Sequence, residues 1–263
     1  MPKLIDSHTH IDHFPPSEIS DVLCRAIDAD VGLVICAGTT LQSSSHCASL
    51  SIQYPIVYAG VGLHPMNLEH PIDDDTYSSL ESLIANNRKV ICISEIGLDF
   101  QSTSPSRDLQ YQALRQQIGL AREHRLPIIF HSRESHPEIM QMLLNERAFE
   151  VGGVMHYFQA DLDIAKTAIN LGFLVSLAKP LLRLPELQQV TRDLPIDHIV
   201  LETDAVPQPW KKHRKNWTEP SHVRFVAEKV AEIKGLTLDQ VIKTTTDNLL
   251  RSLKLDHSFL TTR

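Results

Sequence analysis

Two histidines one residue apart, in Asp6-Ser7-His8-Thr9-His10, close a short apolar run near the N-terminus. Side chains alternate across a strand with a period of two, so an extended Lys3–His10 points His8 and His10 to one side, where both can grip one metal ion. In a chain with 14 His, such a pair by itself reads equally well as two surface histidines. Its weight comes from single ligand-type residues that recur at the ends of later apolar runs. Glu95 ends Val90–Ser94, His131 ends Pro127–Phe130, His156 follows Gly152–Met155 and Asp204 follows Ile199–Thr203. Taken singly, His131 and His156 read as satisfied core histidines, and Asp204 as a turn or cap residue. One group per strand end is instead the arrangement of a metal site on the rim of a parallel barrel.

His8, His10, Glu95, His131, His156 and Asp204 are too many for one tetrahedral zinc with an open position, and suit two divalent ions sharing a carboxylate. Glu95, from a middle strand, is the natural bridge. Four imidazoles with two carboxylates favour zinc or manganese over magnesium, which prefers an all-oxygen shell but stays possible where it is abundant. A pair of ions lowers the pKa of a water and clamps the attacking and leaving oxygens of a displacement, so hydrolysis is the expected chemistry. Asp204 is expected both to ligate and to accept the proton of the attacking water, which makes Asp204 and Glu95 the catalytic candidates.

Such ligands need a scaffold that brings distant segments to one mouth. A chain of 263 residues, 42% hydrophobic, can bury one sizeable core, and a (β/α)8 barrel takes about 250 residues. Apolar runs alternate with helical patterns, the signal of βα units around a parallel sheet. The strand candidates are Lys3–Asp6, Gly32–Ala37, Ile56–Val61, Val90–Glu95, Pro127–His131, Gly153–His156, Phe173–Leu177 and His198–Glu202. Between and after them, Arg107–His124 reads as an outer helix, Ser221 as a helix cap, Thr237–Leu253 as a helix under the barrel, and Asp256–Arg263 as a frayed end. No linker or repeat divides the chain, so the expectation is an α/β fold, a (β/α)8 TIM barrel, as one domain over residues 1–263.

The formal charge of −7 argues against coating nucleic acid through overall basicity and leaves room for a local basic patch. Cys24, Cys36, Cys47 and Cys92 show no C-x-x-C spacing, and Cys36 and Cys92 lie in apolar runs, as reduced core residues do. With no leader pattern and no apolar stretch near the roughly 20 residues of a membrane span, a cytoplasmic protein with no membrane and no obligate protein partner is expected.

Beyond these patterns, the chain resembles the TatD-type metal-dependent hydrolases, a (β/α)8 group related to the amidohydrolases, from Ile5 to about Asn248. The resemblance is carried by Asp6-Ser7-His8-Thr9-His10, Gly62-Leu63-His64-Pro65, Glu95-Ile96-Gly97-Leu98-Asp99, His131-Ser132-Arg133, His156-Tyr157-Phe158, Leu201-Glu202-Thr203-Asp204 and Thr246-Asp247-Asn248. It implies that His8, His10, Glu95 and Asp204 hold one ion and that Glu95, His131 and His156 hold the other. It further implies metal-dependent DNA hydrolysis, including 3′-end trimming of single strands, with His64 as a phosphate or leaving-group contact. The chain departs from the family at Ser94, where glycine is usual, at Tyr157-Phe158-Gln159-Ala160 for Cys-Phe-Ser-Gly, and at Ala205–Trp210 for a small-Pro-Tyr-Leu run. The ligands are kept and the pocket walls are changed, so reaction type transfers better than substrate.

Lys211-Lys212-His213-Arg214-Lys215 follows the strand that carries Asp204, and reads either as a solvated loop or as a phosphate-attracting rim. On the rim reading Lys211 and Arg214 contact single-stranded DNA or another phosphodiester, with Trp210 and Trp217 stacking on bases. Arg133 is expected to orient an anion or to pair with a neighbouring carboxylate, and Asp6 and Glu202 to orient the histidines. Two other readings remain: a metal-dependent amide or carboxylic ester hydrolase, for example on aminoacyl-tRNA, and a non-catalytic binding barrel. The complete ligand set argues against the second.

Overall fold

Strands that are apolar along their whole length need cover on both faces. In this protein, described over residues 2–260 by a computed structural model, the cover is a ring of helices outside and side-chain layers inside. The strands are β1 (Leu4–Thr9), β2 (Val31–Ala37), β3 (Val57–Val61), β4 (Val90–Asp99), β5 (Ile128–Arg133), β6 (Gly153–Met155), β7 (Phe173–Leu177) and β8 (Ile199–Leu201). All eight pair in parallel in chain order, as in a TIM barrel.

Closure falls to the residues just after the short β8. Thr9 bridges Ala205, the His10 amide donates to the Ala205 carbonyl at 2.8 Å, and the Asp204 amide donates to the His8 carbonyl at 3.0 Å. The fully buried Asp6 carboxylate completes the seam, accepting from the Thr203 amide at 2.9 Å and the Thr203 hydroxyl at 2.5 Å. The seam that shuts the barrel therefore also sets Asp204 beside His8 and His10.

Inside, each strand contributes to one apolar layer: Ile5, Leu33, Ile35, Tyr58, Ile91, Ile129, Val154, Leu174 and Val200. Leu249, Leu250 and Leu253, from or just after the C-terminal helix (Leu238–Ser252), plug the layer from below. Two residues further along their strands come Ser7, His131, His156, Ser176 and Glu202, so the polar level sits directly above the apolar one, as a period of two requires. Above the plug the interior turns from hydrocarbon to ligands.

All eight strand candidates are strands, with one informative difference: Glu95 does not end β4, which runs on to Asp99. Pairing of β4 with β5 shifts register between Ile93 and Ile96, and such an irregularity re-aims a side chain without ending the strand. Just beyond, Gly97 (φ +150°) lets the strands approach; a Cβ there would stand 2.0 Å from the His131 carbonyl oxygen. The Arg107–His124 helix forms over the residues expected, and Thr237 caps the C-terminal helix in a reciprocal pair with Gln240. Ser221 caps nothing: it lies inside a 3-10 turn, Pro220–His222, whose start is closed by Glu219 and His222. The tail is not frayed from Asp256: that carboxylate accepts from the Ser258 amide at 2.7 Å, Tyr58 donates to the Phe259 carbonyl, and Leu260 is buried. The remaining residues of that expectation, 261–263, lie outside the described residues. No described helix is long and apolar enough to cross a membrane.

Candidate metal centre

The Glu95 carboxylate is the hub of the barrel mouth. Its Oε2 stands 3.5 Å from both His8 Nε2 and His10 Nε2, while its Oε1 stands 2.8 Å from His156 Nε2, 3.2 Å from His131 Nδ1 and 3.3 Å from His64 Nε2. The two oxygens thus face two different sets of imidazoles. Asp204 Oδ1 closes the first set at 3.4 Å from His10 Nε2, and ligand atoms of His8, His156 and Asp204 also lie within 4.8 Å of one another. All six sequence-derived ligands converge.

For His10, His131 and His64 the ring orientation follows from the partner of the other nitrogen. His10 Nδ1 lies 3.2 Å from the Ala37 carbonyl, so that nitrogen donates there and Nε2 is the one turned to the centre. His131 Nε2 lies 2.9 Å from Asp99 Oδ2, which leaves Nδ1 to face Glu95. His156 Nδ1 points toward Glu202 Oε1 at 3.4 Å, and the same oxygen accepts the Tyr157 amide at 2.6 Å. Glu202 thus lies beside His156 without hydrogen-bonding its ring, whereas Asp6 works on the Thr203 backbone and hydroxyl instead of on a ring. His64 is the exception. Its Nδ1 accepts the Met66 amide at 3.1 Å, so a neutral ring carries its proton on Nε2 and presents a donor to the cavity. A ligand needs a lone pair there, and His64 is on this ground not one.

Polar atoms at the centre are left without protein partners. His8 Nδ1 and both ring nitrogens of His156 are buried with no hydrogen bond, although His156 Nε2 is so near Glu95; the two atoms are close but not aligned for one. Of these atoms His156 Nε2 faces the centre beside Glu95, an unpartnered nitrogen placed as a metal ligand would be. The charges agree. Burial opposes a charged His10, yet Asp204 and Glu95 carry its pKa up to about 9. Burial likewise opposes ionised Glu95 and Asp204, but His64, His156 and His131 hold the first well below the usual range, and His10 brings the second down to about 2. The donor set and its electrostatics fit divalent metal, whose binding would displace protons from the imidazoles.

Asp99 was not singled out from sequence, although Glu95, Gly97 and Asp99 alternate and so share a side of β4. Buried, it takes the His131 proton on Oδ2 and the Ser104 hydroxyl on Oδ1 at 2.8 Å, and these bonds outweigh burial to hold its pKa well below the carboxylate range. Asp99→Asn should keep the fold but free the His131 ring, lowering affinity for one ion by about 10–100-fold. Isothermal titration with manganese reads this directly, and unchanged affinity would show that Asp99 does not position the ligand.

The cavity over the centre is about 620 Å³ and is lined by His64, Arg133 and Tyr157 among others, so His64 and Arg133 reach the space beside the candidate ligands. Arg214 does not. Its guanidinium binds Glu18 at 2.6 Å and Glu219 at 2.8 Å and lies 4.4 Å from the Trp217 ring, clamping the loop after β8 to the helix Pro16–Asp28. Trp217 is engaged in the same clamp against Phe14, while Trp210 is 73% exposed. Lys211 lines a neighbouring cleft that shares Tyr157, Asp204 and Val206 with the metal cavity.

Comparison with known proteins agrees with this geometry. The family model described as TatD related DNase matches residues 5–254. The uncharacterized metal-dependent hydrolase YcfH of Escherichia coli K12 is 30% identical, with 98% of each chain covered. The human protein named deoxyribonuclease TATDN3 is 29% identical over 97% of this chain and 96% of its own. Among solved structures, the TatD homologue YjjV of Escherichia coli superposes with a TM-score of 0.83 at 28% identity, covering 95% of this chain and 97% of that one.

Proposed function

The chain belongs to the TatD-related DNase family and is a metal-dependent hydrolase, and from this premise we propose that it is a two-ion phosphodiesterase acting on single-stranded DNA. The observation that carries the reading is the division of Glu95, one oxygen toward His8 and His10, the other toward His131 and His156. On this reading His8, His10, Glu95 and Asp204 hold one ion, and Glu95, His131 and His156 hold the second, zinc or manganese before magnesium. The ions would supply an activated water and charge neutralisation at the attacking and leaving oxygens.

The protein's own groups do the rest. Asp204, with 28% of its side chain exposed and ionised at neutral pH, faces the cavity and takes the proton of the attacking water. His64 offers its Nε2 proton to a phosphate oxygen, and exposed Arg133, with no ion pair among the described residues, offers a planar fork to the same group. Asp99 holds His131 in place, and Glu202 sets a buried carboxylate 3.4 Å from His156 Nδ1. The name of the human relative supports DNA as the polymer. Buried free thiols at Cys36, Cys47 and Cys92 support a reducing, cytoplasmic setting, with the whole chain acting as one barrel domain.

The test is a substrate panel with added manganese or zinc: bis(p-nitrophenyl) phosphate, a single-stranded oligonucleotide, p-nitrophenyl acetate and an aminoacyl ester. Turnover of both phosphodiesters is expected. Hydrolysis confined to the carboxylic esters would overturn the reading and favour the aminoacyl ester alternative.

A further inference from the structure

A cleft of about 470 Å³ lies beside the metal cavity, with Tyr157, Asp204 and Val206 as the shared wall. Lys179, Arg183 and Lys211 line it, together with Gln208 and Thr218. The cations come from separate segments: Lys179 and Arg183 from the short helix Lys179–Leu182 after β7 and the residue that ends it, Lys211 from the loop after β8. None of the three is in an ion pair among the described residues; Lys179 Nζ reaches the Thr218 hydroxyl at 3.4 Å and Lys211 Nζ the Asn216 carbonyl at 2.9 Å. This contrasts with Arg25 and Arg214 on the neighbouring face, which share Glu219.

The fold holds these charges together at a cost. Lys179 is partly buried, and burial, then Lys211, pull its pKa below the usual lysine range. A lysine with a free stem ordinarily moves its ammonium away from a like charge and into water. In a protein of net charge −7, three cations that outnumber the one carboxylate of their cleft, Asp204, are a focus for an anion. The shared wall is fixed as well. Tyr157 sits at φ +47°, a region aromatic residues seldom adopt, and its amide is held by the buried Glu202 carboxylate.

We propose that this cleft binds the phosphate adjacent to the scissile one, so that Lys179, Arg183 and Lys211 take the second charge of an oligonucleotide whose reacting phosphate lies over Glu95 and Asp204. The inference rests on the phosphodiesterase reading and adds a length preference to it. A dinucleotide with a single internal phosphate fills the metal cavity alone, whereas a tetranucleotide also reaches the cleft. Tyr157, on the wall between the two, presents its ring to the nucleoside that joins them.

The experiment compares wild type with Lys179→Gln/Arg183→Gln/Lys211→Gln in manganese, on a dinucleotide and a tetranucleotide of deoxycytidine over a range of salt. Wild type should prefer the longer substrate in kcat/KM. The triple variant should lose most of that preference through KM, by about fivefold or more, and its log–log salt dependence should flatten by about 0.7, the share of one phosphate on a single strand. Lys211→Arg should keep the preference. An unchanged preference and salt slope in the triple variant, with wild type cleaving both substrates, would overturn the cleft while leaving the nuclease reading intact. Equal loss on both substrates would also overturn it, by showing a damaged mouth. Wild type that cleaves neither would remove the phosphodiesterase reading itself, and the cleft assignment with it.

Discussion

Glu95→Ala is expected to remove both ions and to lower turnover by about 10³-fold or more, because one buried carboxylate neutralises both positions. Its two oxygens stand within 3.5 Å of His8, His10, His64, His131 and His156. Without it Asp204, beside His10, is the one carboxylate left in the ligand set, too little to offset two divalent ions among the rings. His8→Ala tests the division differently, since His8 faces Oε2 alone and its loss should weaken one ion selectively. Elemental analysis after gel filtration distinguishes the two variants. Full occupancy in Glu95→Ala would refute the bridging role, and equal loss of both ions in His8→Ala would show the positions to be more tightly coupled than their geometry indicates.

Asp204→Asn is expected to lower turnover by about 10² or more with a modest loss of metal. The amide keeps an oxygen that can ligate and fits the same left-handed backbone, φ +52°, which asparagine tolerates as well as aspartate does. What is lost is a group that can accept a proton. His10 and the other imidazoles keep Asp204 ionised down to about pH 2, so protonation of Asp204 cannot account for any loss of activity near neutrality. Loss of activity as pH falls should follow the displacement of metal by protons on the histidines, and added metal should restore it. Near-normal turnover of Asp204→Asn under saturating metal would leave Asp204 a ligand and a turn residue only.

The convergence of the six candidates was legible in the sequence because barrel geometry turns a one-dimensional pattern into a cluster: ligand-type residues at the ends of five of the eight apolar runs meet at one mouth. Glu95 shows where such reading stops. Its meeting with the histidines was visible, but its place inside β4 depends on a register irregularity between Ile93 and Ile96, which no residue pattern announces. Barrel closure through Asp6 and Thr203 is likewise invisible, since the partners lie 197 residues apart. The basic run after β8 gave a mixed result for the same reason. A charge's availability depends on which carboxylates the fold brings to it, and Arg214 meets Glu18 from the first helix while Lys211 meets none. Lys179 and Arg183 were passed over because they are isolated in the chain and become a cluster only when β7 and β8 lie side by side.

The central claim, two ions joined by Glu95, is tested most directly by anomalous diffraction from crystals equilibrated with manganese. Two peaks are expected in the barrel mouth, one coordinated by Glu95 with His8, His10 and Asp204, the other by Glu95 with His131 and His156. A single peak, or a pair not sharing Glu95, would contradict the account.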